Sequence, residues 1–269
     1  MNSYLKKYFS VVRMTWIQAL EYKANAIVGT FAIFSGLAIE FLIWKQVFQA
    51  QDLQEIRGFT FNGLMAYIFL CMIVGQLKSS WATSMEMIDS IRTGEMNKYL
   101  IRPISFFTYH FMMFIGHNSM FYIVYTTVLI LFPILLPGWA FPTILHVIGF
   151  IAALLISIYL SYSIYFCMVC FAFWFGEVRA LVIAYNISNI VLSGQIIPLK
   201  LFPDSVREII LMTPLPFLVD FPVSIATNNL ASSLWMPKMG IAILWCIVMT
   251  ILGRIIYRFG IRVYGGFGA

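Results

Sequence analysis

Charge is what this sequence lacks most. Only 10% of its 269 residues are Asp, Glu, Lys or Arg, against roughly 25% in soluble globular domains, while 61% are hydrophobic and the mean hydropathy is +0.89. The scarcity is concentrated: from Pro103 to Gly176, 74 consecutive residues carry no charged side chain. About 20 apolar residues take a helix across a ~30 Å hydrocarbon layer, so this run holds two crossings and excludes a water-soluble fold. The two crossings meet at Pro133 to Pro142, where three prolines and Gly138 end helices and Trp139 suits the interfacial aromatic belt.

Other absences narrow the function. No G-x-x-x-x-G-K-[ST] phosphate loop occurs, so the chain is not expected to bind ATP, and any energy source lies in another chain or an ion gradient. Spans and short connections use up almost every residue, which leaves no room for a soluble catalytic domain. Neither a carboxylate pair nor a Cys/His or Ser/His arrangement recurs at one depth, which argues against a membrane-embedded lipid-modifying enzyme. Cys71, Cys167, Cys170 and Cys246 sit inside apolar segments and read as packing residues, with no disulfide. His110 and His117 are seven apart, about 10 Å along a helix and too far to share one ion, so no metal site is expected. The first residues lack the apolar core and cleavage site of a signal peptide. Basic residues are not interleaved with aromatics in a groove, which excludes nucleic acid as a partner.

What is present reads as helices. Leu5, Phe9, Val12, Trp16 and Leu20 recur at steps of three to four, opposite Lys6, Arg13 and Glu21, and predict an amphipathic interfacial helix over 1–23. Six crossings follow: 24–47, 59–77, about 106–132, 143–172, 179–197 and 239–256. Residues 24–257 thus form one transmembrane domain, and 258–269 a short tail. With the N-terminus inside, 12 of the 17 basic residues fall in cytoplasmic connections, while Lys45, Arg57, Lys200, Arg207 and Lys238 fall outside. The positive-inside rule therefore makes both termini cytoplasmic, and the net charge of +6 faces anionic lipid headgroups.

Two polar islands stand out. In residues 85–104 charges recur every three residues, Glu86, Asp89, Arg92, Glu95 and Lys98, alternating in sign from Asp89 on, which predicts i to i+3 pairs on short helices around Gly94. This stretch reads either as a solvated loop or as a docking surface, with Ile88, Ile91, Tyr99 and Leu100 as its apolar contacts. Residues 200–230 are too proline-broken to span and too apolar for a free loop; one helix is expected from Pro203 to before Pro214 and a second after Pro222, together an interfacial hairpin lying on the membrane. Glu40, the only acid deep in a predicted span, either binds a cationic substrate or proton, or reaches the headgroups and pairs with Lys45. The crowded aromatics of the third span either pack against helices or line a cleft for amphipathic cations.

At these residues a family resemblance emerges. Ile91-Arg-Thr-Gly94-Glu-Met-Asn-Lys-Tyr-Leu100-Ile-Arg102-Pro103-Ile104 resembles the ABC-2 permeases, membrane subunits of type-2 ABC exporters, in which a glycine precedes a Leu, Arg, Pro element. Leu192 to Pro203, followed by Pro214-Leu-Pro216-Phe217 and Phe221-Pro222, resembles the same family's stretch after the fifth span. The resemblance implies an all-α fold of six spans with an N-terminal interfacial helix and extracellular re-entrant helices in 200–230. It places the outer gate at Gly194, Pro198, Pro203, Pro214, Pro216 and Pro222. It also implies a coupling helix within Glu86 to Arg102, where Glu86, Asp89, Arg92, Gly94, Glu95, Lys98, Leu100, Arg102 and Pro103 meet a separate ABC ATPase that holds ATP and Mg. A second permease, identical or related, would complete the assembly in the bacterial cytoplasmic membrane. The expected function is export of a hydrophobic or amphipathic substrate such as a drug, lipid or peptide. A secondary transporter or channel is the alternative, and a lipid-modifying enzyme a more distant one.

Overall fold

The computed structural model of the chain describes residues 3–21, 23–50, 52–101, 104–135 and 143–265. Twelve α-helices among them are α1 (Ser3–Glu21), α2 (Lys23–Ala50), α3 (Phe61–Leu77), α4 (Trp81–Arg92), α5 (Asn97–Leu100), α6 (Phe106–Leu135), α7 (Ile144–Val169), α8 (Ala172–Phe175), α9 (Arg179–Leu192), α10 (Asp204–Leu211), α11 (Asp220–Ala226) and α12 (Trp235–Val263). The only strands among the described residues are β1 (Glu55–Ile56) and β2 (Phe59–Thr60), an antiparallel hairpin. Arg57 and Gly58 turn it with φ of 46° and 82°, the paired positive values that a two-residue hairpin loop requires.

Five helical stretches are long and apolar enough to cross a membrane: Ile27–Ala50, Phe61–Arg92, Phe106–Leu131, Ile144–Phe175 and Ser232–Val263. The expected fifth span is helical only over the 14 residues of α9, about 21 Å at 1.5 Å per residue. It stops early at Ser193-Gly194, where Gly194 adopts φ 80°. α6 runs on to Leu135, past Pro133; the rest of the expected break, Pro137 to Pro142, lies outside the described residues.

α3 and α7 form the axis. Both are apolar around their circumference; Leu64, Ile68, Leu70 and Val74 of α3 and Ala153 and Leu160 of α7 are fully enclosed. α2, by contrast, leaves Ile27, Val28, Phe31 and Leu42 exposed, as expected of a helix whose solvent is lipid. α1 lies against α6, and Gly116 makes the contact possible: a Cβ there would collide with Thr15. The face buried on α6 is Val11 and Thr15, so of the expected apolar stripe Phe9 and Leu20 point away. α12 closes on α7 through Gly253, where a Cβ would come within 2.9 Å of Phe166, and on α8 through Gly260 beside Phe173.

The break after α3 is stitched by its neighbours. A carbonyl freed at a helix end has no water to turn to inside a bilayer, so another helix must supply a donor. Ser161 Oγ donates to the Lys78 carbonyl at 2.9 Å, and Asn118 Nδ2 donates to the Ser79 carbonyl at 3.1 Å. Lys78 itself, expected in a loop, is buried to 3% exposure because this break folds inward. The cysteines are free and buried, as expected.

Candidate functional site

The two polar islands occupy opposite ends of the bundle. At one end, α4 and α5 form a hairpin turned at Gly94, φ 81°, and closed by the Met96 N–H donating to the Ser90 carbonyl at 2.8 Å. Tyr99 plugs this hairpin into the bundle, with ring centroids 5.3 Å from Phe106, 4.9 Å from Tyr109 and 4.9 Å from His110. Ile88, Ile91 and Tyr99, expected as docking contacts, are therefore core residues. The helix needs an anchoring face, and those side chains supply it. The apolar surface left over is a tip: Leu100 is 48% exposed and Ile101 86%. Arg102 and Pro103 lie outside the described residues.

The charges of this end face outward. The predicted i to i+3 pairs form, Asp89 with Arg92 at 3.4 Å and Glu95 with Lys98. Glu95 beside it holds the Lys98 ammonium above its ordinary range. Asp89 also pairs with Arg179, and Glu177 bridges Arg179 at 2.9 Å and Arg92 at 3.6 Å. Glu177 further accepts from the Arg179 N–H at 3.0 Å, capping α9 where a helix N-terminus favours negative charge. Four side chains thus tie α4 to the turn before α9, a link that spacing along the chain cannot reveal. Glu86 is half-buried, with Lys98 and Glu95 as its nearby charges.

At the other end the chain folds back through α10 and α11. Pro203 caps α10 as expected, but α11 begins at Asp220, so Pro222 lies in its first turn. A first-turn N–H has no partner within the helix, so proline is tolerated there. α10 is mostly exposed, whereas Phe221 to Ala226 are all buried between α3 and α7. An interfacial hairpin, with both pieces lying on the surface, is therefore ruled out for α11. Pro198 and Pro216 are buried, Pro214 is half-buried, and Pro203 is exposed.

A buried polar knot joins these elements. Tyr67 Oη of α3 donates to Asp220 Oδ1 at 2.7 Å and lies 3.3 Å from the Gly194 carbonyl, which Cys71 Sγ also approaches at 3.5 Å. The Asp220 N–H donates to the Ser193 carbonyl at 3.0 Å, and Ser157 Oγ donates to the Leu218 carbonyl at 2.6 Å. Gly194 has no room for a side chain, since a Cβ would sit 3.0 Å from Tyr67 Oη and 3.2 Å from Asp220 Cβ. Lys200, Arg207 and Lys238 bring positive charge close to Asp220. Arg57 latches the hairpin to the same region through the Lys200 and Phe202 carbonyls at 3.2 and 3.0 Å and through Asp204 at 3.6 Å. Asp220 and Tyr67 were not foreseen. The signal was there, since an acid inside Phe-Leu-Val-Asp-Phe-Pro cannot face lipid and must find a donor.

The remaining candidates resolve locally. Glu40 accepts from Trp44 Nε1 at 3.1 Å, one turn away, and no ion pair with Lys45 occurs among the described residues. His110 Nδ1 meets the Phe106 carbonyl at 2.9 Å, and His146 sits between Thr143 and Asn228 at 2.8 and 3.2 Å. Phe106, Phe107, Phe111 and Phe114 interlock with Tyr159, Tyr162 and Phe166, which makes them packing residues. Among the described residues no three His, Cys, Asp or Glu side chains converge on a metal position.

Long apolar helices and a core of small and aromatic side chains define a multi-pass membrane protein. Residues 34–268 match the family model described as ABC-2 family transporter protein, so the chain belongs to the ABC-2 transporter family and is a permease component of an ABC transporter. No curated protein matches the chain.

Proposed function

We propose that this chain is the transmembrane half of an ATP-driven exporter for a hydrophobic or amphipathic substrate, with ATP and Mg held by a separate ABC ATPase. The observation that carries this reading is the α4–α5 hairpin. It is anchored by Tyr99, tied by charge to the start of α9, and presents Leu100 and Ile101 to a partner. A protein surface with an apolar tip and a mixed-charge rim suits a soluble partner, and a rigid base lets a push on the tip reach α4 and α9 together. The coupling set is Glu86, Asp89, Arg92, Gly94, Glu95, Lys98, Leu100, Arg102 and Pro103, joined by Glu177 and Arg179.

The topology we assign has six spans, with α9 as the fifth and residues 193–198 completing its depth. The α4–α5 end and both termini are cytoplasmic, in a bacterial inner membrane. The α11 end then lies outside, with α11 as a re-entrant helix and the Tyr67–Asp220–Gly194 knot as the outer closure. Its bonds join α3, α9 and α11, so opening the pathway there requires breaking them. A second permease copy, or a related one, supplies the other wall.

Capture of the tagged protein from its native membrane tests the reading. A nucleotide-hydrolysing subunit should co-purify, and its activity should respond to a panel of lipids, peptides and amphiphilic drugs. An ion-coupled carrier is the second reading, favoured by the half-buried Asp220. It would transport in vesicles with the ATPase absent and lose that transport in Asp220→Asn.

A further inference from the structure

One apolar groove is unexplained by either end's machinery. It lies where α8 bends away from α7, and it is walled by Phe171, Trp174 and Phe175 on that side and Ile255, Ile256 and Phe259 of α12 on the other. No polar atom lines it. Gly176, φ 68°, ends α8 and turns the chain away, so Phe175 is left 73% exposed and Phe259 55% exposed. Groove walls of this kind suit hydrocarbon.

Beside the groove runs a row of cations. Arg254, Arg258 and Arg262 follow at intervals of four on α12, one turn apart on one exposed face. On the helix circumference Arg262 falls within about 60° of Phe259, at 100° per residue. The side chain confirms the adjacency, with the Arg262 guanidinium over the Phe259 ring at 5.5 Å. None of these arginines joins an ion pair among the described residues, and from Phe221 to Ala269 the sequence has no Asp or Glu to offer. The groove therefore pairs a dry floor with uncompensated positive charge at its rim, at the end of a membrane span.

We propose that this groove is a binding site for an anionic phospholipid, whose acyl chain lies along Phe175, Ile255 and Phe259 and whose phosphate is held by Arg258 and Arg262, with Arg254 one turn deeper. Charge complementarity selects the lipid over a second copy of this chain. The same face of a second copy would bring the arginine rows together, and the C-terminal segment carries no acid to meet them. The proposal depends on the chain spanning a membrane and not on its being an exporter.

The test uses the full-length protein in nanodiscs of phosphatidylcholine with graded phosphatidylglycerol, one lipid at a time carrying brominated chains. Quenching of Trp174 is isolated by difference from Trp174→Phe, and lipids retained on release of the protein in native mass spectrometry give a second reading. Brominated phosphatidylglycerol should quench Trp174 preferentially over brominated phosphatidylcholine. Its relative affinity should fall about fivefold for each of Arg258→Gln and Arg262→Gln, and high salt should weaken it. Equal quenching by the two lipids in the unaltered protein, or preference retained in the Arg254/Arg258/Arg262→Gln triple variant, would overturn the assignment. So would absence of quenching by both lipids together with Phe175→Cys cross-links between copies, which would give the groove to a second protomer.

Discussion

The two ends of the bundle hold their polar groups in opposite ways. At the α11 end, Tyr67, Asp220 and Ser157 make short bonds to backbone and carboxylate in the interior. At the α4–α5 end, Asp89, Arg92, Glu177 and Arg179 pair on a surface where each is a third to a half exposed, and the hairpin is held by an aromatic plug instead. The contrast follows from solvent. A buried donor or acceptor left without a partner costs about 1–3 kcal/mol, whereas an exposed ion pair contributes about 0–1 kcal/mol. One end is therefore a place where single bonds govern stability, and the other a place where charge can be rearranged cheaply.

Substitutions should separate the two ends by size of effect. Tyr99→Ala, which empties the plug, should destabilise by about 3 kcal/mol and free the hairpin, seen as a lower thermal midpoint and faster proteolysis near Gly94. Tyr67→Phe and Asp220→Ala should each cost about 1–3 kcal/mol, with the double variant costing less than their sum because each single change strands the other's polar group. Equal additivity in thermal unfolding would show that the Tyr67–Asp220 bond is not the coupling element. Lys78→Met should stabilise by about 1 kcal/mol, since the buried ammonium is replaced by an apolar chain of similar length. Asp89→Asn or Arg179→Gln should move stability by less than about 1 kcal/mol. A larger shift would mean that the network holds the fold as well as the surface.

Much of the bundle was readable because a bilayer imposes length and apolarity on a crossing helix, and α2, α3, α6, α7 and α12 fall close to their expected ranges. The short elements were not. α8 continues the apolar run of α7 without a break in composition, and the Arg57–Gly58 hairpin is too small to show a period. At the candidate site, Asp89–Arg92 and Glu95–Lys98 follow from their spacing of three, but the partners Glu177 and Arg179 arrive from another element. Ile88, Ile91 and Tyr99 were assigned to the wrong side for a related reason: apolar residues mark a face without saying whether the bundle or a partner covers it. Asp220 is not legible as a site residue because its segment is proline-broken and reads as a connection, although its half-buried carboxylate accepts a 2.7 Å bond from Tyr67.

We propose that work done elsewhere enters through the Leu100–Ile101 tip. The most direct test is the Leu100→Asp/Ile101→Asp variant, purified from its native membrane beside the unaltered protein and compared for thermal midpoint, co-purified ATPase and substrate-dependent transport. The midpoint should be unchanged, with ATPase association and transport both lost. A variant that retains its ATPase and transports normally would contradict it.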